Sequence, residues 1–227
     1  MLSPMRWLVI VLCVALAACS KDRAGSSASP APSTANAPAT PETAFWKWFG
    51  AHATEIGMIA SGKEPIAAEL AGELHKIDAG LTFAIGNTKG EHELVVSADG
   101  KMAVFPAVKR LVAAAPVIAG WKITAFRPRQ STDMALELGD GTHLSSSDLS
   151  FRVLGTNDRK VDIELYVKGP KTITDSVGQV VFLLLDQTLG EYDVETYLGG
   201  IEMKPGTEAP TNALPLTQLP KTVDCMK

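Results

Sequence analysis

Leu81-Thr82-Phe83-Ala84-Ile85 returns about 70 residues later as Leu149-Ser150-Phe151-Arg152-Val153. Both strings alternate, so Leu81, Phe83 and Ile85 fall on one side of a strand, as do Leu149, Phe151 and Val153. The segments downstream of the two strings repeat in order as well. After the first string, Gly86-Asn87-Thr88-Lys89-Gly90 is rich in turn residues and leads into Glu93-Leu94-Val95-Val96-Ser97, a hairpin pattern. Phe105-Pro106 opens a helix with Val108, Leu111 and Val112 on one side, closed by Ala115-Pro116, and Trp121 to Phe126 reads as a strand. After the second string, Val161, Ile163, Leu165 and Val167 alternate with Asp162, Glu164, Tyr166 and Lys168. Thr174 or Asp175 caps a helix that turns Val177, Val180, Val181, Leu184 and Leu185 inward and ends at Gly190; Tyr192 to Met203 reads as the closing strand. Two strand-strand-helix-strand units, 81–127 and 149–203, are therefore expected from an internal duplication. A short strand through Met134, Leu136 and Leu138 with a turn at Asp140-Gly141 fills the gap between them.

Two helices precede the first unit. Thr40 caps, Pro41 occupies the first helical position and Glu42 places a carboxylate in the first turn. Phe45, Trp48, Phe49, His52, Ile56 and Ile59 then recur at spacings of three and four, while Trp46 falls off that stripe and is a candidate contact residue. A second helix from Pro65 carries Ile66, Leu70, Leu74 and Ile77 in register and stops at Gly80. The expected fold is α+β: an N-terminal helical hairpin, then two units forming antiparallel-rich sheet with helices on one face. The tail after Pro205 is rich in Pro and Thr, with one helical turn at Leu216–Leu219.

The first residues carry an address. Arg6 precedes an apolar run from Trp7 to Ala18, too short for the ~20 residues a spanning helix needs. Leu16-Ala17-Ala18-Cys19 resembles the lipobox of bacterial lipoproteins. That resemblance implies removal of signal peptide 1–18, acylation of Cys19 with palmitate-type chains, and stable membrane attachment. Ser20 in place of an acidic residue implies the outer membrane, facing the periplasm, over the inner one. Residues 20–43 are nearly all Ser, Ala, Pro, Thr and Gly, so 19–43 reads as the lipidated cysteine with a disordered tether, leaving 44–227 as one α+β domain.

The chain has formal net charge −4, which becomes −5 once Arg6 goes with the signal, giving no electrostatic reason to bind nucleic acid. Cys13 is lost with the signal and Cys19 is acylated, leaving Cys225 as a free thiol on the tail. No cysteine spacing suggests a metal, and no cofactor or metal is expected. There is no nucleophile elbow, phosphate-binding glycine loop or paired-histidine helix. The four histidines are scattered, and Ser145-Ser146-Ser147 reads as loop.

The least ordinary chemistry lies in Asp186-Gln187-Thr188-Leu189-Gly190-Glu191-Tyr192-Asp193-Val194-Glu195. Asp186 stands in the last turn of its helix, where the dipole opposes negative charge. On a strand, Glu191, Asp193 and Glu195 would share one face. Three readings are open: a solvated face, a calcium-like site, or pairing with Arg127 and Arg129 of Phe126-Arg127-Pro128-Arg129 across the two units. The candidate binding face thus comprises Asp186, Glu191, Asp193, Glu195, Arg127, Arg129 and Trp46.

Phe45-Trp46-Lys47-Trp48-Phe49, Ser97-Ala98-Asp99-Gly100, Phe105-Pro106-Ala107-Val108, Phe126-Arg127-Pro128-Arg129 and Leu185-Asp186 through Leu189-Gly190-Glu191-Tyr192-Asp193-Val194-Glu195-Thr196 resemble a family of uncharacterised bacterial proteins of about 200 residues, an ordinary single-domain length. The resemblance implies a grouping without an activity. The expected function is a membrane-anchored periplasmic lipoprotein acting as a non-catalytic binding module for a periplasmic protein. The alternative is an enzyme or cation-binding protein using Asp186, Glu191 and Asp193.

Overall fold

Alternating strings and helical stripes build an α+β protein whose computed structural model describes residues 8–9, 40–88, 90–130, 135–137 and 143–227. The segment expected to be a signal peptide apart from Leu8–Val9, the expected acylation site Cys19, the expected tether up to residue 39 and the Asp140-Gly141 turn lie outside the described residues. No helix among the described residues is long and apolar enough to cross a membrane.

Helix α1 (Pro41–Ile56) begins as its sequence dictates, with the Thr40 hydroxyl accepting from Thr43 N at 3.2 Å and Pro41 in the first turn. It packs against α2 (Pro65–His75). Both lie over a sheet in the order β1 (Leu8–Val9), β2 (Thr82–Thr88), β3 (Glu91–Ser97), β4 (Trp121–Ala125). The backbone of β1 runs antiparallel to Ala84 and Ile85; β2 and β3 form an antiparallel hairpin; β4 returns parallel to β3 after α3 (Phe105–Ala113). Phe45, Phe49, Leu70, Leu74, Leu81, Phe83, Leu94, Val96, Val108 and Leu111 fill the core between helices and sheet.

Strands β5 (Ala135–Glu137) and β6 (His143–Ser145) pair as a small ribbon. Beyond them β7 (Leu149–Asn157) and β8 (Lys160–Val167) form an antiparallel hairpin with a bulge between Val153 and Gly155. Helices α4 (Asp175–Leu189) and α5 (Glu191–Tyr197) precede β9 (Leu198–Pro205), which lies parallel to β8. The two sheets are separate, each over its own core.

Two expectations are corrected, for residues 191–197 and for Trp46, and one, the helical turn at Leu216–Leu219, is extended. Residues 191–197 are helical and the last strand starts only at Leu198. Gly190 at φ +83° ends α4, its backbone supplies the carbonyl that Asp193 N and Val194 N bond to, and Tyr192 and Val194 bury on the inner side of the new turn. The C-terminal tail is structural: β10 (Leu214–Pro215) joins the edge of β7, and Leu216, Leu219 and Val223 of the 3-10 turn and of α6 (Leu219–Asp224) are wholly buried in the second core. Trp46 is 3 % exposed instead of standing out; α3 packs on that flank of α1, and the indole Nε1 donates to Leu111 O at 2.8 Å.

Candidate functional site

The seam between the two cores is built by one short strap. After β4 the chain turns at Phe126, a non-glycine residue at φ +63°, and lays Arg127-Pro128-Arg129-Gln130 across the junction of α4 and α5. Glu191 N donates to Arg127 O at 3.0 Å and Gln130 N to Gln187 O at 2.7 Å, while Arg129 Nε donates to Leu189 O at 2.9 Å. Carbonyls at the end of a helix lack intrahelical partners, so this strap caps α4 and brings cations to its negative end. Phe126, Phe105 and Tyr192 close the seam from the first core's side, with ring centroids 4.5–5.7 Å apart.

The predicted carboxylates separate into three environments. Glu191 is wholly buried. Its carboxylate accepts from Ser97 Oγ at 2.7 Å, Ala98 N at 2.9 Å, Gly100 N at 3.2 Å and Arg127 N at 3.1 Å. With four donors on two oxygens it is a structural clasp, with no lone pair turned to solvent. Asp193 points to the opposite side of α5, where Arg129 at 2.7 Å and Lys227 at 2.8 Å hold it beside Asp224. Hydrogen bonds from Arg129 and Lys227 keep the Asp224 carboxyl well below the usual range. Glu195, one helical turn from Glu191, faces outward beside Gly100, and Lys160 Nζ sits on its own carbonyl at 3.1 Å. The expected common face of Glu191, Asp193 and Glu195 is thus replaced by a helical fan, and no cluster of three such ligands suited to a metal exists among the described residues.

Asp186, Glu195 and Arg127 instead line a cleft of about 590 Å³ with Asp99, Phe182 and Leu183. Arg127 reaches Asp99 Oδ1 at 3.0 Å and Asp186 Oδ2 at 3.2 Å, with Glu191 Oε2 3.9 Å from its Nε. That Nε is buried without a hydrogen-bond partner. Burial alone would pull the guanidinium down, but Glu191, Asp186 and Asp99 together hold it firmly charged. Burial pushes the Asp186 carboxyl up to about 6; the nearby charges of Glu191, Glu195 and Asp99 add to the rise and Arg127 opposes it. Glu195 is raised by burial too, against Lys160. Phe182 stands half exposed at the rim.

Asp99 is the wall residue that sequence reasoning passed over. The signal was Asp99-Gly100, a turn pair directly after a buried strand. Asp99 takes φ +51° and Gly100 φ +73°, which turns the Asp99 carboxylate toward Arg127 while the two flanking backbone amides serve Glu191. Trp46 lies in the first core, away from these groups.

Comparisons with protein-family models, curated proteins and solved structures find no match to this chain.

Proposed function

We propose that this chain is a lipid-anchored protein of the bacterial cell envelope. Residues 1–18 are removed and β1 with them, which leaves β2 as an edge of the first sheet; Cys19 carries the acyl chains, and the α+β part works in the periplasm at the outer membrane. The Leu16-Ala17-Ala18-Cys19 string and the apolar run before it support that address. The likeness to the uncharacterised bacterial family, and an internal duplication of 81–127 and 149–203, belong to the same reading. The duplication is supported by the shared order of antiparallel hairpin, helix and parallel return strand.

The folded part acts as a non-catalytic binding module, and its ligand is a cationic group on a periplasmic partner, a lysine or arginine side chain. One observation carries this. The carboxylates of Asp99, Asp186 and Glu195 line the cleft with Arg127 as the one cation among its described lining residues, and Lys160 stands nearby. The excess negative charge in a partly desolvated cleft is relieved by one more cation, and the exposed ring of Phe182 offers it an aromatic face. Titration with lysine- and arginine-rich peptides tests the reading. Binding should weaken as salt is raised and collapse in a Glu195→Gln, Phe182→Ala variant. Peptide binding that ignores both changes, or no binding at low salt, sinks it.

A second reading, an enzyme, is favoured by Asp186 alone. A cleft carboxyl held at about 6 is suited to donate and accept a proton near neutrality. Recovery of the bound peptide chemically unchanged after prolonged incubation separates the two.

A further inference from the structure

Strand β2 turns one side of its backbone away from β3. His92 N donates to Gly120 O at 2.9 Å and Phe126 N to Val96 O at 2.7 Å, so the even-numbered residues of β3 serve β4. The N–H and C=O of one strand residue point the same way and successive residues alternate, so the odd-numbered residues of β3 serve β2. The register sets Glu93 against Gly86 and Val95 against Ala84, which leaves Phe83, Ile85 and Asn87 with amide and carbonyl turned to the outer edge. The backbone of β1 takes that edge antiparallel, Leu8 against Ile85 and Val9 against Ala84. Thr82–Thr88 contains no charge, no proline and no register break, the devices that ordinarily keep an edge from pairing. Beside the edge lies a pocket of about 110 Å³, lined by Ala68, Ala71 and His75 of α2 and by Leu81, Thr82 and Phe83. Phe83 and Ile85 turn their side chains to the core, on the side of the sheet that α2 covers. A residue opposite Phe83 on an added strand shares that face, and its side chain is directed to this pocket.

We propose that the outer edge of β2 is a strand-acceptor site, taking an extended antiparallel segment of a periplasmic protein with an aliphatic residue opposite Phe83. The proposal rests on the removal of residues 1–18 argued above and is independent of the Asp186 cleft. The edge and the pocket define the occupant. Antiparallel addition is the arrangement in which β1 already pairs. On an added strand, the residues opposite Phe83 and Ile85 exchange backbone hydrogen bonds with the edge, and their side chains face α2. One set of alternate positions therefore supplies both the ladder and the pocket contact. The pocket has room for a branched aliphatic side chain, and none of its described wall residues is Asp, Glu, Lys or Arg, so an ionised side chain would find no partner there. Main-chain bonds then give affinity and the pocket gives choice, the division of labour in recognition by strand addition.

The test uses the processed, lipidated chain in detergent, and its intact mass reads the removal of residues 1–18. The probe is a peptide of alternating threonine and valine, ended by lysines for solubility, and residue-resolved amide exchange reads where it sits. The expected result is slowed exchange at Phe83, Ile85 and Asn87, with Thr82 and Ala84 unchanged. N-methylation of the valines should weaken binding ~tenfold or more, whereas N-methylation of the threonines, whose amides face away from β2, should leave it in place. Ala71→Leu, which fills the pocket, should weaken binding by ~tenfold as well. No binding, binding that leaves those amides unprotected, or binding equally sensitive to either N-methylation overturns the proposal and leaves the anchor standing. So does a processed chain that sediments as a dimer with those amides already protected, since a second copy then holds the edge. A chain that keeps residues 1–18 overturns both.

Discussion

The carboxylate of Glu191 accepts a 2.7 Å hydrogen bond from the hydroxyl of Ser97, 94 residues earlier in the chain. Both are buried, and the bond ties the end of a central strand in one core to the first turn of a helix in the other. Replacing Glu191 by Ala leaves Ser97 Oγ and the amides of Ala98, Gly100 and Arg127 without an acceptor. The expected loss is ~3–5 kcal/mol, read as a lower urea midpoint. Glu191→Gln, which keeps one oxygen acceptor, should lose distinctly less. Equal losses would mean that the cavity matters and the hydrogen bonds do not.

Gly190 adopts φ +83°, and a Cβ there would come 3.1 Å from both Arg127 O and Arg129 N. Backbone strain and the clash act on the same strap, so Gly190→Ala should cost ~1–3 kcal/mol. Thermal melting should show a drop of several degrees. A neutral result would show that the strap can lift from α4.

Arg129 joins three pieces: the Leu189 carbonyl, Asp193 and the C-terminal Asp224. Its pair with Asp224 is substantially exposed and screened by salt, whereas the pair with Asp193 is more sheltered. Arg129→Ala is expected to lower stability by ~1–2 kcal/mol, about half of it lost again in high salt. An unchanged melting temperature at low salt would remove Arg129 from the structural seam.

Legibility in the sequence depended on whether the cause of each feature was local. Phe83 and Phe151, each two residues into an alternating string, do face their cores, because period two fixes a strand's inner side. The Thr40-Pro41 start of α1 was equally readable from capping chemistry. Residues 191–197 mislead because Glu191, Tyr192, Asp193, Val194 and Glu195 alternate like a strand. What makes them helical is Gly190 and the docking of Tyr192 on Phe105 and Phe126, a long-range contact. Trp46 misleads in the same way: a stripe on α1 describes one partner, and α3 supplies a second. The arginines were visible as candidates. Their division, with Arg127 on Asp99 and Asp186 and Arg129 on Asp193 and Asp224, is set by the strap's path over α4.

The C-terminal tail, rich in Pro and Thr, is held by contacts of the same long-range kind. Val223 is wholly buried in the second core, beside Leu216 and Leu219. Val223→Asp places a charge there without a partner and should cost more than ~3 kcal/mol. Truncation after Pro215 should do at least as much, with near-ultraviolet dichroism of Tyr166 and Tyr197 reporting the loss. Retention of full stability by the truncated chain would refute a structural role for the tail.

Asp186 gives the pH dependence. Its carboxyl titrates near 6 in the folded chain and near ~3.9 when unfolded. Between those values the folded chain keeps a proton that the unfolded chain has lost. Stability must therefore fall as pH rises through about 4 to 6. Below that window both states are protonated and the burial costs nothing extra; above it the cost of the buried charge is complete. Asp186→Asn removes the charge and keeps the shape, and Arg127 retains Asp99 and Glu191 as partners. The variant should exceed the parent by up to ~3 kcal/mol at pH 7.5 and match it at pH 4. Urea midpoints measured across that range decide it. A gain independent of pH would assign the effect to packing, and a loss at pH 7.5 would show that the Arg127 ion pair outweighs the burial of Asp186.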